Sequence, residues 1–368
     1  MKLDAQVTII GAGVIGLAIS YYLTKKNIKS ILIEKKENYG LENSSKNSQV
    51  IHAGIYYGTN SLKKKLSIRG KKLIYHFCKN YNVPFKKNGK LFIALKDTDI
   101  DLLNELKEQG NKNGINDLKL LNINEVKKIE PNLHCKYALY SPSSGVLDVK
   151  KFMSILYEKS KNNGLEFFPN TELYNAKKIS GGWSLDLRGD IINKINSKYV
   201  INSSGINSTK IAKHIFENIK FPLSTPIKGS YLKCKNKNLL NHIIYTPMKP
   251  GHIYERVDAT PLLNGELIFG PSLELDKNFN DEVNPELISR FYKTIKQYIP
   301  ELKENDLENF FSGMRAKIDF ENNKVSDFII NNLNNSNWIN LFGIESPGLT
   351  ASLAIAEYVY DSYFVKNL

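Results

Sequence analysis

Gly11-Ala12-Gly13-Val14-Ile15-Gly16 is the first stretch of the chain whose residue types suit a piece of chemistry, the binding of a pyrophosphate. Gly11 permits a tight turn, Gly13 lets backbone approach the phosphates, and Gly16 allows a helix to pack closely on a strand. Val14 and Ile15 stand at the start of that helix, where free N–H groups and the dipole attract an anion. Glu34, followed by Lys35, ends the next apolar run and can accept hydrogen bonds from ribose hydroxyls; an acid there argues against a 2′-phosphate, and hence against NADP. Far along the chain, Gly313 precedes Arg315, one of only five arginines, whose planar fork matches a carboxylate. Lys317 offers a second positive charge for a dicarboxylate. His52 is the first candidate for a base, because imidazole titrates near neutrality, and His252 the second.

These groups need elements to hold them. Residues 7–10 form a short apolar β-favouring run before the glycines, and Leu17, Ala18, Tyr21 and Tyr22 recur behind them at helical spacing. Helical patterns also occur at 61–81, 97–113, 123–129 and 148–161, and strand-like runs at 165–168 and 171–179. Residues 199–202 read as a strand ending in the small residues Ser203, Ser204 and Gly205, which let backbone approach phosphates. From 216 to 319 the pattern changes to alternating β-like runs at 227–233, 242–246, 266–269 and 310–318, interrupted by a helix at 285–298. Residues 339–342 are an apolar strand leading through Gly343-Ile344-Glu345-Ser346-Pro347-Gly348-Leu349-Thr350 into a last helix.

Length and charge narrow the class. At 368 residues the chain exceeds a single core, so two domains are expected. The net charge of +14 comes almost wholly from lysines spread along the sequence, whereas nucleic-acid readers lean on arginine; a polyanion partner is therefore not expected. Cys78, Cys135 and Cys234 are odd in number and widely spaced, which suggests neither disulfides nor a metal site and fits a reducing compartment. Residues 5–24 carry no charge, yet Gly11, Gly13 and Gly16 mark them as strand, turn and helix rather than a membrane span, so a cytoplasmic location is expected.

The block Asn43-Ser44-Ser45-Lys46-Asn47-Ser48-Gln49-Val50-Ile51-His52-Ala53-Gly54-Ile55-Tyr56-Tyr57 resembles the D-amino-acid-oxidase-like superfamily of FAD-dependent oxidoreductases, most closely its L-2-hydroxyglutarate dehydrogenase/oxidase branch. The resemblance continues through Ser61-Leu62-Lys63, Gly89-Lys90-Leu91, Ile129-Glu130-Pro131 and Gly145-Val146-Leu147-Asp148 to both chain ends. It implies an α/β fold: a Rossmann-like FAD-binding domain of glutathione-reductase type, discontinuous over 1–80, 145–215 and 320–368. An interleaved α+β substrate domain on an antiparallel sheet would occupy 81–144 and 216–319. Ser44, Ser45, Asn47 and Ser48 would donate to the FAD phosphates and flavin edge, with Gln49 standing where the family favours Gly. Leu173 would set its backbone against the adenine, and the helix after Gly343 would face the flavin, its N–H groups stabilising negative charge at N1/C2=O. Ser312-Gly313-Met314-Arg315-Ala316 resembles the family's G-x-R-P signature, with Ala316 in place of Pro, and implies that Arg315 binds a substrate carboxylate. Lys228-Gly229-Ser230-Tyr231 resembles a segment usually reading Arg-Gly-Glu-Tyr, which makes Tyr231 a substrate-facing phenol.

The resemblance implies oxidation of L-2-hydroxyglutarate by hydride transfer to FAD, with His52 as base or as a holder of the flavin. The alternatives are an amine or amino-acid oxidase, a glycerol-3-phosphate dehydrogenase-like enzyme, and a basic flavoprotein that assists RNA modification or assembly. The sequence leaves the electron acceptor open among oxygen, quinone and another protein.

Overall fold

In the computed structural model, which describes residues 3–217, 219–236, 238–246, 256–276, 280–320, 323–324 and 327–365, the first apolar run becomes the strand Ala5–Ile10. The turn at Gly11 hands the chain to the helix Val14–Lys25, and the next run forms the strand Ser30–Ile33. Ala5–Ile10 lies between Ser30–Ile33 and Lys194–Asn202, parallel to both. Glu166–Phe168 and Trp338–Phe342 extend this parallel core on its two sides. Ile329–Asn332 adds an antiparallel edge, and the hairpin Thr171–Ile179 with Gly182–Gly189 pairs with the start of Lys194–Asn202. Near-continuous apolar strands are what a sheet covered on both faces requires, and Val7, Ile9, Leu32 and Ile201 are fully buried.

Helices Val14–Lys25, Val149–Asn162, Leu62–Asn80 and Gly348–Tyr363 pack on one face of this sheet. Leu62–Asn80 approaches Gly348–Tyr363 so closely that a methyl group at Gly70 would fall 2.1 Å from the Thr350 carbonyl oxygen. That contact fixes the start of the last helix beside residues 50–52.

A second, ten-stranded sheet is antiparallel except where Ile243–Tyr245 runs parallel to Lys90–Ala94. Its long central pair, Leu223–Cys234 and Leu307–Phe320, holds Gly229 opposite Gly313 and Ile227 opposite Arg315. Helix Leu287–Ile295 covers part of the sheet by burying Leu287, Phe291 and Ile295. Asn323–Lys324 still pairs with Leu307–Phe320, so the chain rejoins the first sheet at Ile329 rather than at 320. The fold is thus mixed α/β, with a parallel-cored sheet and an antiparallel sheet built from alternating stretches of one chain.

Candidate active site

A cavity of about 730 Å³ lies where the C-terminal ends of the parallel strands meet the second sheet, the place where open α/β sheets bind ligands. Gly11, Gly13, Val14, Ile15, Glu34, Lys35, Ser44, Asn47, Ser48, Leu173, Ser203, Ser204 and Gly205 line one end. His52, Tyr231, Gly313, Arg315 and Lys317 meet Glu345, Ser346, Pro347, Gly348 and Leu349 at the other.

The glycine turn is closed to larger residues. A Cβ at Gly11 would stand 2.9 Å from Ser204 Cα, one at Gly13 2.9 Å from Ser44 Oγ, and one at Gly16 2.0 Å from the Gly11 oxygen. Gly16 therefore acts in helix packing and does not line the cavity. Ser44 Oγ accepts the Val14 N–H at 2.8 Å, which leaves its own hydrogen to donate. Glu34 accepts the Ala12 N–H at 2.8 Å and the Lys36 N–H at 3.0 Å, one on each oxygen, so each oxygen keeps a lone pair. Lys35 is paired with Glu42 at 2.8 Å.

Other expected contacts are turned inward. Ser45 Oγ donates to the Glu42 carbonyl and lies off the cavity. Asn47 Nδ2 donates to the Ser44 carbonyl while its Oδ1 accepts the Gln49 N–H, so this side chain staples its own loop. Gln49 has φ +60, the conformation that explains why glycine suits the position, and it too faces away. Gly343, at φ +68, and Thr350 are likewise outside the lining. Thr350 instead anchors the chain behind the cavity, where its Oγ1 accepts the His52 N–H at 3.0 Å and donates to the Val50 carbonyl. Ser203 donates to the Ile10 carbonyl and Ser204 to Asn202. His252 lies outside the described residues.

His52 is buried, with Nδ1 3.2 Å from the Tyr56 hydroxyl and Nε2 3.3 Å from that of Ser346. Burial, followed by the charges of Lys90 and Arg256, pulls its imidazole well below the ordinary histidine range. The ring is neutral at pH 7. Arg315 Nη1 stands 4.0 Å from Glu345 Oε2, and Lys63 Nζ lies 3.0 Å from Glu345 Oε1. Burial pushes the Glu345 carboxyl up, but Lys63, Arg315 and Lys317 outweigh it and hold the group below the usual carboxylate range. Such an array can orient an anion, accept a proton and exclude water from a hydride path.

A family model described as DAO, FAD dependent oxidoreductase, matches residues 6–362. The chain belongs to the DAO family. It is 34% identical to an Arabidopsis thaliana protein named mitochondrial L-2-hydroxyglutarate dehydrogenase, over 98% of this chain and 84% of that one. A Caloramator mitchellensis protein named glycerol 3-phosphate dehydrogenase is 32% identical, with 99% and 74% covered. Among solved structures, the FAD-bound, dithionite-reduced L-alpha-glycerophosphate oxidase of Mycoplasma pneumoniae superposes with TM-score 0.88 at 26% identity, covering 99% of this chain and 95% of that chain.

FAD is the cofactor of this DAO-family enzyme, and its residues fit the group. The glycine cradle admits backbone but no side chain, Glu34 keeps lone pairs, and buried Glu345 Oε2 has no hydrogen-bond partner at the opposite end. Gly313 belongs to the same fit: a Cβ there would meet the Lys46 carbonyl oxygen at 2.9 Å, and Asn43 pairs with both the N–H and the carbonyl of Met314. The loop at the cofactor and the strand of Arg315 are therefore tied together.

Sequence reasoning missed Tyr245, Arg256 and Asp258, which also line the cavity. Tyr56 and Lys63 stand within family-like motifs that by themselves assign them no role. Lys63 has one, because replacing it leaves the buried Glu345 charge to the more distant Arg315 and to Lys317. Lys63→Met is expected to lower the unfolding free energy by about 3 kcal/mol at pH 7. Glu345 is held low when folded, so its contribution is present above the ordinary carboxylate value and lost as pH falls through the lowered one. The deficit of the variant should therefore shrink toward pH 4 in denaturant titrations; a deficit that is absent, or equal at both pH values, contradicts this role.

Proposed function

We propose that this DAO-family enzyme oxidises an L-2-hydroxy acid, L-2-hydroxyglutarate, to the corresponding 2-oxo acid. The observation that carries the reading is the neutral imidazole of His52 facing the same cavity as the guanidinium of Arg315. An alcohol, unlike a neutral amine, needs a base to take its proton as hydride leaves the carbon. The names of several relatives support the substrate.

When bound, FAD would supply the two-electron oxidant for the substrate Cα–H. The residues do the rest. Arg315 holds the C1 carboxylate through its fork, and Thr350 pins the backbone of His52. With Nδ1–H donated to Tyr56, Nε2 of His52 carries the lone pair, which faces the Ser346 hydroxyl at 3.3 Å and receives the substrate hydroxyl proton in its place. The bond to hydrogen breaks at oxygen as the C–H pair leaves, and the carbonyl forms. Gly13, Val14, Glu34, Ser44 and the start of the helix Gly348–Tyr363 hold the cofactor. Cys78, Cys135 and Cys234 are buried and free, which supports a reducing compartment such as the cytoplasm. Among the described residues no helix is long and apolar enough to cross a membrane.

A second reading has a specific observation behind it, since the glycerophosphate oxidase superposes over nearly the whole chain and the same cations suit a phosphate. Anaerobic mixing with L-2-hydroxyglutarate, glycerol 3-phosphate and a panel of D- and L-amino acids separates the readings. L-2-hydroxyglutarate is expected to bleach the flavin band; bleaching by glycerol 3-phosphate or an amino acid instead assigns the enzyme to that class. A colourless protein that takes up no FAD would sink the reading outright.

A further inference from the structure

The cavity carries more positive charge than one carboxylate needs, and the surplus is arranged on two sides. Arg315 enters from the strand Leu307–Phe320 near Glu345, whose carboxylate also faces Lys63 and Lys317. Arg256 enters separately, just before the strand Ala259–Pro261. Its Nε lies 2.7 Å from Asp258 Oδ1, and its guanidinium stands 4.4 Å over the Tyr245 ring. These two contacts fix the head while no second carboxylate lies within ion-pair distance among the described residues. The Tyr56 hydroxyl also shares a hydrogen bond with the guanidinium, whose remaining N–H groups are left to an anion in the cavity.

The buried surroundings strengthen this. Asp258 also faces Lys90, an almost wholly buried lysine whose Nζ sits 3.6 Å over the same Tyr245 ring. Burial brings Lys90 down to about 7, so at and below that pH one carboxylate stands against a guanidinium and an ammonium, and the positive excess favours a counter-ion. Tyr231 stands in the fields of both Arg315 and Arg256, and His52 in those of Lys90 and Arg256.

We propose that Arg256 binds the distal carboxylate of a dicarboxylate whose C1 carboxylate is held by Arg315, and so selects a dianionic acid over a monoanionic one of equal length. This assignment rests on the 2-hydroxy-acid reading above and replaces Lys317 as the second cation. Asp258 acts on it as a positioning residue, standing 2.7 Å from Nε so that the terminal nitrogens are shared between Tyr56 and the substrate.

The test uses the oxidised holoenzyme and two unreactive acids, glutarate and pentanoate, titrated against the flavin spectrum, beside turnover of L-2-hydroxyglutarate. Arg256→Met is expected to raise the glutarate dissociation constant by about 30-fold or more, the scale of truncating one side of a buried charge contact. Pentanoate binding should stay within about threefold of wild type, which reports that the site is intact, and Arg256→Lys should recover part of the glutarate affinity. Equal weakening of both acids, no change for glutarate, or a wild-type enzyme that does not prefer glutarate overturns the proposal. If L-2-hydroxyglutarate fails to reduce the flavin while glutarate preference still depends on Arg256, the substrate reading falls and the clamp stands. If it reduces the flavin equally well in Arg256→Met, the clamp falls and the substrate reading stands.

Discussion

Replacing His52 by glutamine is expected to slow reduction of the flavin by L-2-hydroxyglutarate by about 10²- to 10⁴-fold, the usual contribution of a positioned base. Glutamine keeps polar atoms near Tyr56 and Ser346 but cannot take up a proton at neutral pH. The pH profile of kcat/KM reports the free enzyme and gives a second reading. Burial, Lys90 and Arg256 depress the imidazole, so its neutral, active form persists through neutrality and is lost only well below pH 6.5. Asp258 titrates on the same side, because burial pushes its carboxyl up to about 6 against Arg256 and Lys90. Lys90, brought down to about 7 chiefly by burial, is still charged where His52 protonates. Tyr56 and Tyr245, raised by burial, stay neutral throughout this range. Wild type should therefore lose activity on the acid side through both groups, and His52→Gln through Asp258 alone, near 6. Stopped-flow reduction across pH 4.5–9 checks both, and a loss smaller than about tenfold, or an unchanged profile, removes His52 from the base role.

The cofactor end of the cavity was legible in the sequence because its chemistry is local. A phosphate cradle needs glycines within six residues, an acid at the end of the next strand and small residues after a third, and each signal sits inside one short segment. The substrate end was legible only where a rare residue stood beside a glycine, as in Gly313 and Arg315. Arg256, Asp258, Tyr245 and Lys90 come from three strands of the second sheet or their flanks, and only the sheet order brings them together. Lys90 opens the strand Lys90–Ala94, buried at every position, where a periodicity reading expects a lysine to mark solvent. Side-chain bonds spent inside the loop, as for Ser45 and Asn47, are equally invisible, since a polar residue that donates to its own backbone reads the same as one that faces a ligand.

The same contrast explains how the two ends act together. Asn43 ties the cofactor loop to Met314, and Gly313 lets the strand pass against the Lys46 carbonyl, so the position of Arg315 is set by the element that cradles the cofactor. Thr350 does the equivalent for His52 from the last helix. Base and anion clamp are thereby referred to one frame, which is what hydride transfer between two bound molecules requires.

Arg315→Met is the sharpest test of that frame. Losing the fork should lower kcat/KM for L-2-hydroxyglutarate by about 10²- to 10³-fold, within the range for truncating one side of a buried hydrogen-bonded charge pair. The variant removes more than a contact. Glu345 keeps Lys63 at 3.0 Å and Lys317 nearby, so its carboxylate stays ionised and then faces the substrate acid without the guanidinium between them. Repulsion adds to the lost attraction, and the loss should fall on KM as well as on kcat. Arg315→Lys restores charge without the planar fork and should recover only a small part, because an ammonium cannot hold two carboxylate oxygens in a fixed plane. FAD content should remain near wild type, since the residues that cradle the dinucleotide end come from the other sheet. Steady-state kinetics beside the flavin-to-protein absorbance ratio decide it: full activity in Arg315→Met, or full rescue by lysine, would show that the substrate carboxylate is held elsewhere.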